Sequence, residues 1–320
     1  MMQAAIRLAF ALVLILGPAA GRADSGDVGL CFTRSGSYRI DVDVCSRALK
    51  VQDISVLTRA TLLLRRGQAY LEGGAFQLAL ADFNAALKRN PVSSLAHELI
   101  GAAQIESGNY HLSIESYSKA IRLNIHSASA YKGHGLAYFM TGDFLRAIQS
   151  FDRSLSLSAH DPETIALRAI ALFATGAYRR SETEMRRGLD LSYPYPLGFL
   201  WSYFAARRNG RPGTGHLDAA YREIEPDIWP GPLIRTMENA QNESAAWAAA
   251  RTSDESRRAR RELQSAFYIG AKAYLDGERT KARALLRRAA QTPGFFNAVE
   301  KPLARHFLSE LPRQNGLFGR

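Results

Sequence analysis

Two series of small residues run through the chain at one fixed interval of thirty-four positions, and no other property of the sequence constrains its fold as tightly. Gly67, Gly101, Gly135 and Ala169 form one series; Gly74, Gly108, Gly142 and Gly176 form the other. Each interval also repeats an aromatic residue (Phe76, Tyr110, Phe144, Tyr178), a small one (Ala79, Ser113, Ala147, Ser181) and a bulky one (Phe83, Tyr117, Phe151, Met185). It closes on a small–aliphatic pair: Ala86-Leu87, Ala120-Ile121, Ser154-Leu155 and Gly188-Leu189. A fixed period in the thirties predicts a solenoid of helix pairs. Small residues at the Gly67, Ala79 and Ala86 positions let two antiparallel helices approach closely. The Gly74 position ends the first helix of each pair in a left-handed turn, which a residue without Cβ adopts freely. Pro91 stops a second helix; Ile125, Ala159 and Tyr193 take its place in later units.

Over four consecutive units, residues 60–193, these positions resemble the tetratricopeptide repeat (TPR) family. The resemblance implies an all-α fold, a right-handed superhelix of antiparallel helix pairs. The register extends outward. Gly36, Tyr38, Cys45, Ala48 and Leu49 fit the second half of a repeat, with Asp41 departing at a small-residue position. Gly210 follows an aromatic-rich helix at 197–208, and Gly270, Tyr274, Gly277, Ala282, Leu286 and Ala289 form a late repeat. Between them Trp229-Pro230-Gly231-Pro232 breaks the chain, and 233–240 and 244–251 read as short helices. The expected organisation is a signal peptide at 1–23, a half-repeat at 24–57, four repeats at 58–193, degenerate repeats at 194–262, a C-terminal repeat and capping helix at 263–311, and a tail at 312–320.

The segment 1–23 reads as a cleaved export signal: Arg7, the apolar run 8–16, Pro18, then Gly21-Arg22-Ala23 as a small-x-small cleavage site. The competing reading, a membrane anchor, needs about 20 apolar residues, and the run is too short. The chain's two cysteines, Cys31 and Cys45, agree with export. In an oxidising compartment they are expected to bond and pin the half-repeat, a constraint worth on the order of 3 kcal/mol; the alternative is a pair of buried free thiols. A metal site is not expected, since no histidine lies near them in sequence.

The formal charge of +11 falls to +9 when Arg7 and Arg22 leave with the signal. In an exported chain this charge meets phospholipid headgroups, lipopolysaccharide, cell-wall polymers or acidic proteins rather than nucleic acid. Arginine doublets recur at 65–66, 179–180, 186–187, 207–208, 257–258, 260–261 and 287–288. Most read as solvated helix faces. Arg257, Arg258, Arg260 and Arg261 stand out as a candidate basic patch, because positive charge at a helix start opposes the helix dipole.

No catalytic constellation emerges. The seven histidines are scattered, with no His-Glu-x-x-His pair, nucleophile elbow, phosphate loop or dinucleotide fingerprint. No enzyme activity and no cofactor are expected; an enzyme with a site assembled in the degenerate middle is the remaining minor class. In TPR proteins the inner groove is lined by fixed positions of each first helix. Carried onto this chain, the resemblance gives Leu64, Gln68 and Leu71, then Glu98, Ala102 and Ile105, then Lys132, Leu136, Phe139 and Met140, and finally Ala166, Ile170 and Phe173. The family's carboxylate clamp needs lysines and asparagines there, and only Lys132 remains. The middle of the strip is apolar, which suits the apolar face of a helix or an extended hydrophobic peptide. Two occupants stay open: an external partner, or the chain's own C-terminal helix or a second subunit.

The order of the C-terminal part further resembles the NlpI-type periplasmic TPR proteins: the Trp201 helix, the Trp229 break, two short helices, Phe267-Tyr268-Ile269-Gly270 and a last helix through His306-Phe307-Leu308. Members are dimeric envelope lipoproteins that present cell-wall endopeptidases to a tail-specific protease and scaffold peptidoglycan enzymes. This chain departs in one respect. Cys31 lies far beyond the apolar run and follows Leu30, so no lipid anchor is expected. The resemblance then implies a soluble periplasmic adaptor, with an arginine-rich envelope-binding module for anionic lipid or cell-wall polymer as the alternative.

Overall fold

The computed structural model describes residues 25–33, 35–191, 196–294 and 298–312, and every regular element among them is helical. Two compact units are formed, residues 1–91 and 92–320. The expected signal peptide and most of the expected tail lie outside the described residues.

The first unit holds α1 (Ser25–Phe32), α2 (Tyr38–Ala48), α3 (Val56–Glu72) and α4 (Phe76–Leu87). The expected half-repeat has a short first helix after all, α1, and Cys31 of α1 is disulfide-bonded to Cys45 of α2 with Cα atoms 4.8 Å apart. Both cysteines are buried with Ala48 and Leu62. Asp41, the residue that breaks the small-residue pattern, accepts a hydrogen bond from the Ser35 backbone N–H at 2.9 Å, so it ties the α1–α2 connection to its own helix. Arg59 donates to the carbonyls of Leu49 and Val51 at 2.7 and 2.9 Å and fixes the next connection. Arg66 grips Asp82 with two bonds of 2.7 Å, joining α3 to α4.

The second unit continues with α5 (Ser94–Glu106), α6 (Tyr110–Leu123), α7 (Ala128–Thr141), α8 (Phe144–Leu157), α9 (Pro162–Ala174), α10 (Tyr178–Asp190), α11 (Gly198–Arg208), α12 (Thr214–Glu223), α13 (Gly231–Arg235), a 3-10 turn at Ala240–Asn242, α14 (Glu243–Ala250), α15 (Glu255–Leu275), α16 (Arg279–Gln291) and α17 (Glu300–Glu310). The helix pairs α5–α6, α7–α8 and α9–α10 follow the period of the sequence. Each first helix opens on a side-chain cap, Ser93, Ser127 and Asp161, which satisfies amide donors that the helix itself leaves unpaired. These caps repeat at the same interval as the glycines, a series that the glycines had overshadowed.

The glycine at the end of each first helix has positive φ, from +75° at Gly74 to +87° at Gly142. The other series works by contact. A Cβ on Gly135 would lie 2.6 Å from the Phe151 ring, and one on Gly101 would lie 2.7 Å from Tyr117. At Gly67, Gly101 and Gly135 the period therefore encodes a lock: the bulky residue of the second helix seats on the bare backbone of its partner.

Beyond Asp190 the pairing loosens. α12 to α14 are short, and the chain turns back at Trp229-Pro230, where the peptide bond is cis. At 21 residues α15 is the longest helix among the described residues, and it begins well before the late-repeat positions that the sequence exposes. α15 and α16 form a regular pair, and α17 packs on both and reaches α7. The core of this unit is aromatic: Trp201, Phe204, Phe267, Tyr268 and Phe307 are buried together with Phe139, Phe151 and Phe173.

Candidate functional site

The strip expected to receive a ligand lies on α7 and α9, and it is already filled. Phe139, Met140, Ile170 and Phe173 are at most 3% exposed. The occupant is α17. The Phe307 ring centroid sits 5.9 Å from that of Phe173, 6.1 Å from Phe267 and 5.1 Å from Tyr274. His306 meets Phe144 edge-on at 5.5 Å, and Arg305 donates to the Met140 carbonyl at 3.3 Å. Trp201 closes the other side of Phe173 at 5.5 Å. These four residues are core, not an open docking strip. The physical reason is plain: an apolar face of this size exposed to water gains several kcal/mol by burial, and the chain's own last helix supplies the cover.

The rest of the expected groove divides. Leu136 is half-buried against the same core. Lys132 is spoken for: its ammonium lies 2.6 Å from Glu163 and 3.3 Å from Asp161. Burial disfavours its charge, but the Glu163 hydrogen bond and both carboxylates outweigh this and hold its pKa above the ordinary lysine value. Ala102 on α5 keeps partial exposure. In the first unit Gln68 and Leu71 on α3 do likewise, and Gln68 lines a small pocket with Arg65, Glu72 and the two cysteines.

The expected basic patch at the start of α15 is also taken apart. Asp254 caps the helix by accepting from the Arg257 N–H at 2.9 Å, and it pairs with the Arg257 side chain at 3.1 Å. Arg261 lies over the Trp229 ring at 5.5 Å and donates to the Ala249 carbonyl at 3.1 Å. Arg260 stands near the buried Glu300, whose pKa is raised by desolvation against the arginine's opposing charge. Of the four, Arg257 and Arg258 are exposed, and Arg260 and Arg261 are partly buried. The local reason for these arginines, invisible in the sequence, is the far side of the fold.

Several polar residues that motif searching passed over hold neighbouring repeats together. His134 on α7 bridges Ser118 of α6 and Ser150 of α8 through its two ring nitrogens, at 3.2 and 3.1 Å. Burial lowers its pKa to about 4. Glu98 of α5 accepts from Ser127 and Ser129 at the start of α7, at 2.8 and 2.6 Å. Arg168 of α9 joins Asp152 and Glu184 at 2.7 and 2.6 Å. The His134 and Arg168 partners all stand at one and the same sequence separation, about half the repeat, on the helices before and after. A period search confined to apolar and small residues misses it. Among the described residues no group of three His, Cys, Asp or Glu is arranged to hold a metal, and no helix is long and apolar enough to cross a membrane.

The tetratricopeptide repeat family model matches residues 64–128 and 100–162. The helix pairs within residues 64–162 are those that match the tetratricopeptide repeat. The C-terminal part of a TPR repeat-containing protein from Cytophaga hutchinsonii superposes with a TM-score of 0.51 at 15% identity, covering 83% of this chain and 94% of that one. A crystal structure of MamA protein gives a TM-score of 0.48 at 19% identity over 52% of this chain and 93% of that one. MamA 41-end from Desulfovibrio magneticus RS-1 gives 0.48 at 15% identity, over 51% and 93% of the two chains. No curated protein matches the chain in sequence. At 15% identity the Cytophaga hutchinsonii structure speaks to the fold alone, an all-α TPR architecture.

Proposed function

We propose that this chain is a non-catalytic adaptor that carries protein partners on its TPR repeats in the periplasm. The observation that supports the reading most directly is the seat of α17. The face of α7 and α9 accommodates an amphipathic helix, in the manner by which helical segments dock into apolar grooves. Here that helix is internal. Among the first-helix positions left with partial exposure, Gln68 and Leu71 in the first unit and Ala102 in the second are the surfaces assigned to partners. The buried disulfide fits an oxidising compartment, as does the leader-like segment at 1–23. The finer reading follows the NlpI-type resemblance: a soluble adaptor presenting cell-wall hydrolases to a tail-specific protease, with homodimerisation as in that group.

Photo-crosslinking in the native periplasm tests the reading. A crosslinking side chain at Gln68 or Ala102 should capture discrete partners. The same probe at Leu78 or Leu112, exposed at 53% and 51% on second helices, should not. Equal capture from all four positions, or none from Gln68 and Ala102, overturns it. Intact-mass analysis of the protein from its native host tests the location, with a start near Asp24 and no acyl group as the expected result.

A further inference from the structure

The arginine doublets sort into engaged and unengaged groups. Arg66 belongs to Asp82, and Arg187 donates to the Ala159 carbonyl at 2.6 Å. Arg207 pairs with Asp276 at 2.8 Å, and Arg208 lies over Tyr178 and Tyr274. Arg288 stacks on Trp247 at 4.6 Å and meets Glu262 at 3.1 Å. Arg179 and Arg186, both exposed on α10, have no side-chain hydrogen bond, ion pair or ring contact among the described residues.

These two are not scattered. With Glu182, Thr183 and Arg211 they line one cleft between α10 and the α11–α12 connection. Positions 179, 183 and 186 follow the three- and four-residue spacing that stacks side chains along one helix face. The cleft's carboxylate does not neutralise them. Glu182 is bound by Arg211 and by His216 Nε2 at 2.9 Å. Burial works against its charge, but the Arg211 and His216 hydrogen bonds hold its pKa below the usual glutamate value. It is thus a fixed support for Arg211, and two guanidinium groups are left facing the cleft without an anion. Arg258 and Arg287 are also exposed; what singles out α10 is that Arg179 and Arg186 share one cleft.

We propose that the Arg179–Arg186–Arg211 cleft binds a phosphoryl group. Planar guanidinium forks match phosphate oxygens in paired hydrogen bonds, and Arg179 and Arg186 share the concavity with the Glu182-held Arg211 but have no anion of their own. The phosphoryl group can come from an anionic lipid headgroup or from a soluble phosphate, and the chemistry of capture is shared. The site is independent of the protein-binding faces of α3 and α5, so either assignment can fail alone.

The test uses the full chain and two probes at constant ionic strength. Inorganic pyrophosphate is titrated calorimetrically; vesicles of phosphatidylglycerol in phosphatidylcholine are co-sedimented against pure phosphatidylcholine. Arg179→Gln combined with Arg186→Gln should weaken binding by about tenfold or more, the scale for losing charge-assisted hydrogen bonds. Arg258→Gln with Arg287→Gln removes the same charge elsewhere and should change it by less than about threefold. Vesicle binding without pyrophosphate binding identifies the headgroup as source, and the reverse identifies a soluble phosphate. The proposal is overturned if neither probe binds, if the control pair loses as much as the α10 pair, or if only an acidic peptide of oligoglutamate binds. Unchanged circular dichroism melts in both variants keep a folding defect out of the comparison.

Discussion

Substituting Phe307→Ala asks whether α17 truly occupies the face of α7 and α9. Phe307 is 1% exposed and its ring is surrounded by Phe173, Phe267 and Tyr274 at centroid distances of 5.9, 6.1 and 5.1 Å. Removing a buried Phe side chain costs about 3–5 kcal/mol, transfer and cavity together. The ring contacts place this site in the upper half of that range, since each aromatic pair adds about 0.5–1.5 kcal/mol. For a unit of this size about 2–4 °C is lost per kcal/mol, so a fall of roughly 8–20 °C is expected in the second unit's transition. Urea titration followed by fluorescence of the buried Trp201 reads the stability. Hydrogen exchange localises it: amides of α7 and α9 should lose protection. Phe307→Leu, which keeps most of the volume, should cost less than about 1.5 kcal/mol. A loss below about 1 kcal/mol for Phe307→Ala, with α7 and α9 protection intact, would refute the seating of α17. On the same reasoning Phe139→Glu and Phe173→Glu now predict unfolding, where an open strip predicts lost binding with the fold preserved.

Reduction of the Cys31–Cys45 bond, which closes a loop of sequence separation 14, should destabilise the first unit by about 3 kcal/mol; two alkylatable thiols in unreduced protein would contradict the pairing. Gly142→Ala, at φ +87°, should cost about 1–2 kcal/mol from left-handed strain, and Gly142→Asn less, measured by chemical denaturation. Gly135→Ala should cost about 1–3 kcal/mol by overpacking, because the new Cβ would lie 2.6 Å from the Phe151 ring; a neutral result would mean the Phe151 seat is loose. His134 is held neutral in the fold with its pKa lowered by burial to about 4, against an ordinary value of 6.5. The unfolded chain therefore takes up its proton first, and the stability this group contributes is full above pH 6.5 and is lost as pH falls towards 4. His134→Gln should flatten that part of the pH profile of the urea midpoint, and an unchanged slope counts against the buried bridge.

The repeat architecture was legible because its determinants are local. A left-handed glycine and a glycine–aromatic seat are decided within one helix pair, so Gly142 and Gly135 announce themselves in the sequence whatever lies elsewhere. The disulfide was legible because Cys31 and Cys45 are the chain's two cysteines and lie close in sequence. The groove failed on distance. Arg305 and Met140 are far apart in the chain and meet only through the fold, and nothing in the sequence around Phe139 or Phe173 says which apolar surface will cover them. The apolar strip reads in sequence as a groove for a helix or an extended peptide, with an external partner and the chain's own last helix both open; in the fold Phe307 of α17 packs on it. The arginines at 257–261 failed likewise, since Trp229 and Ala249 reach them only after the chain has doubled back. His134 was discounted as a lone histidine, though Ser118 and Ser150, equally spaced before and after it on the flanking helices, were a signal available in advance.

Closing α17 onto α7 sets an order for biogenesis. A linear array of helix pairs can fold as it emerges, each pair docking on the one before it. Here Phe139, Met140 and Phe173 are made well before residues 300–310, which cover them. Until the final helix arrives, α7 to α10 present an uncovered aromatic face. During that interval such a face is exposed to aggregation and to folding helpers alike. Premature termination near residue 299 therefore yields a chain whose repeats have their full local sequence yet remain sticky. The eleven residues of α17 act as the step that closes this face.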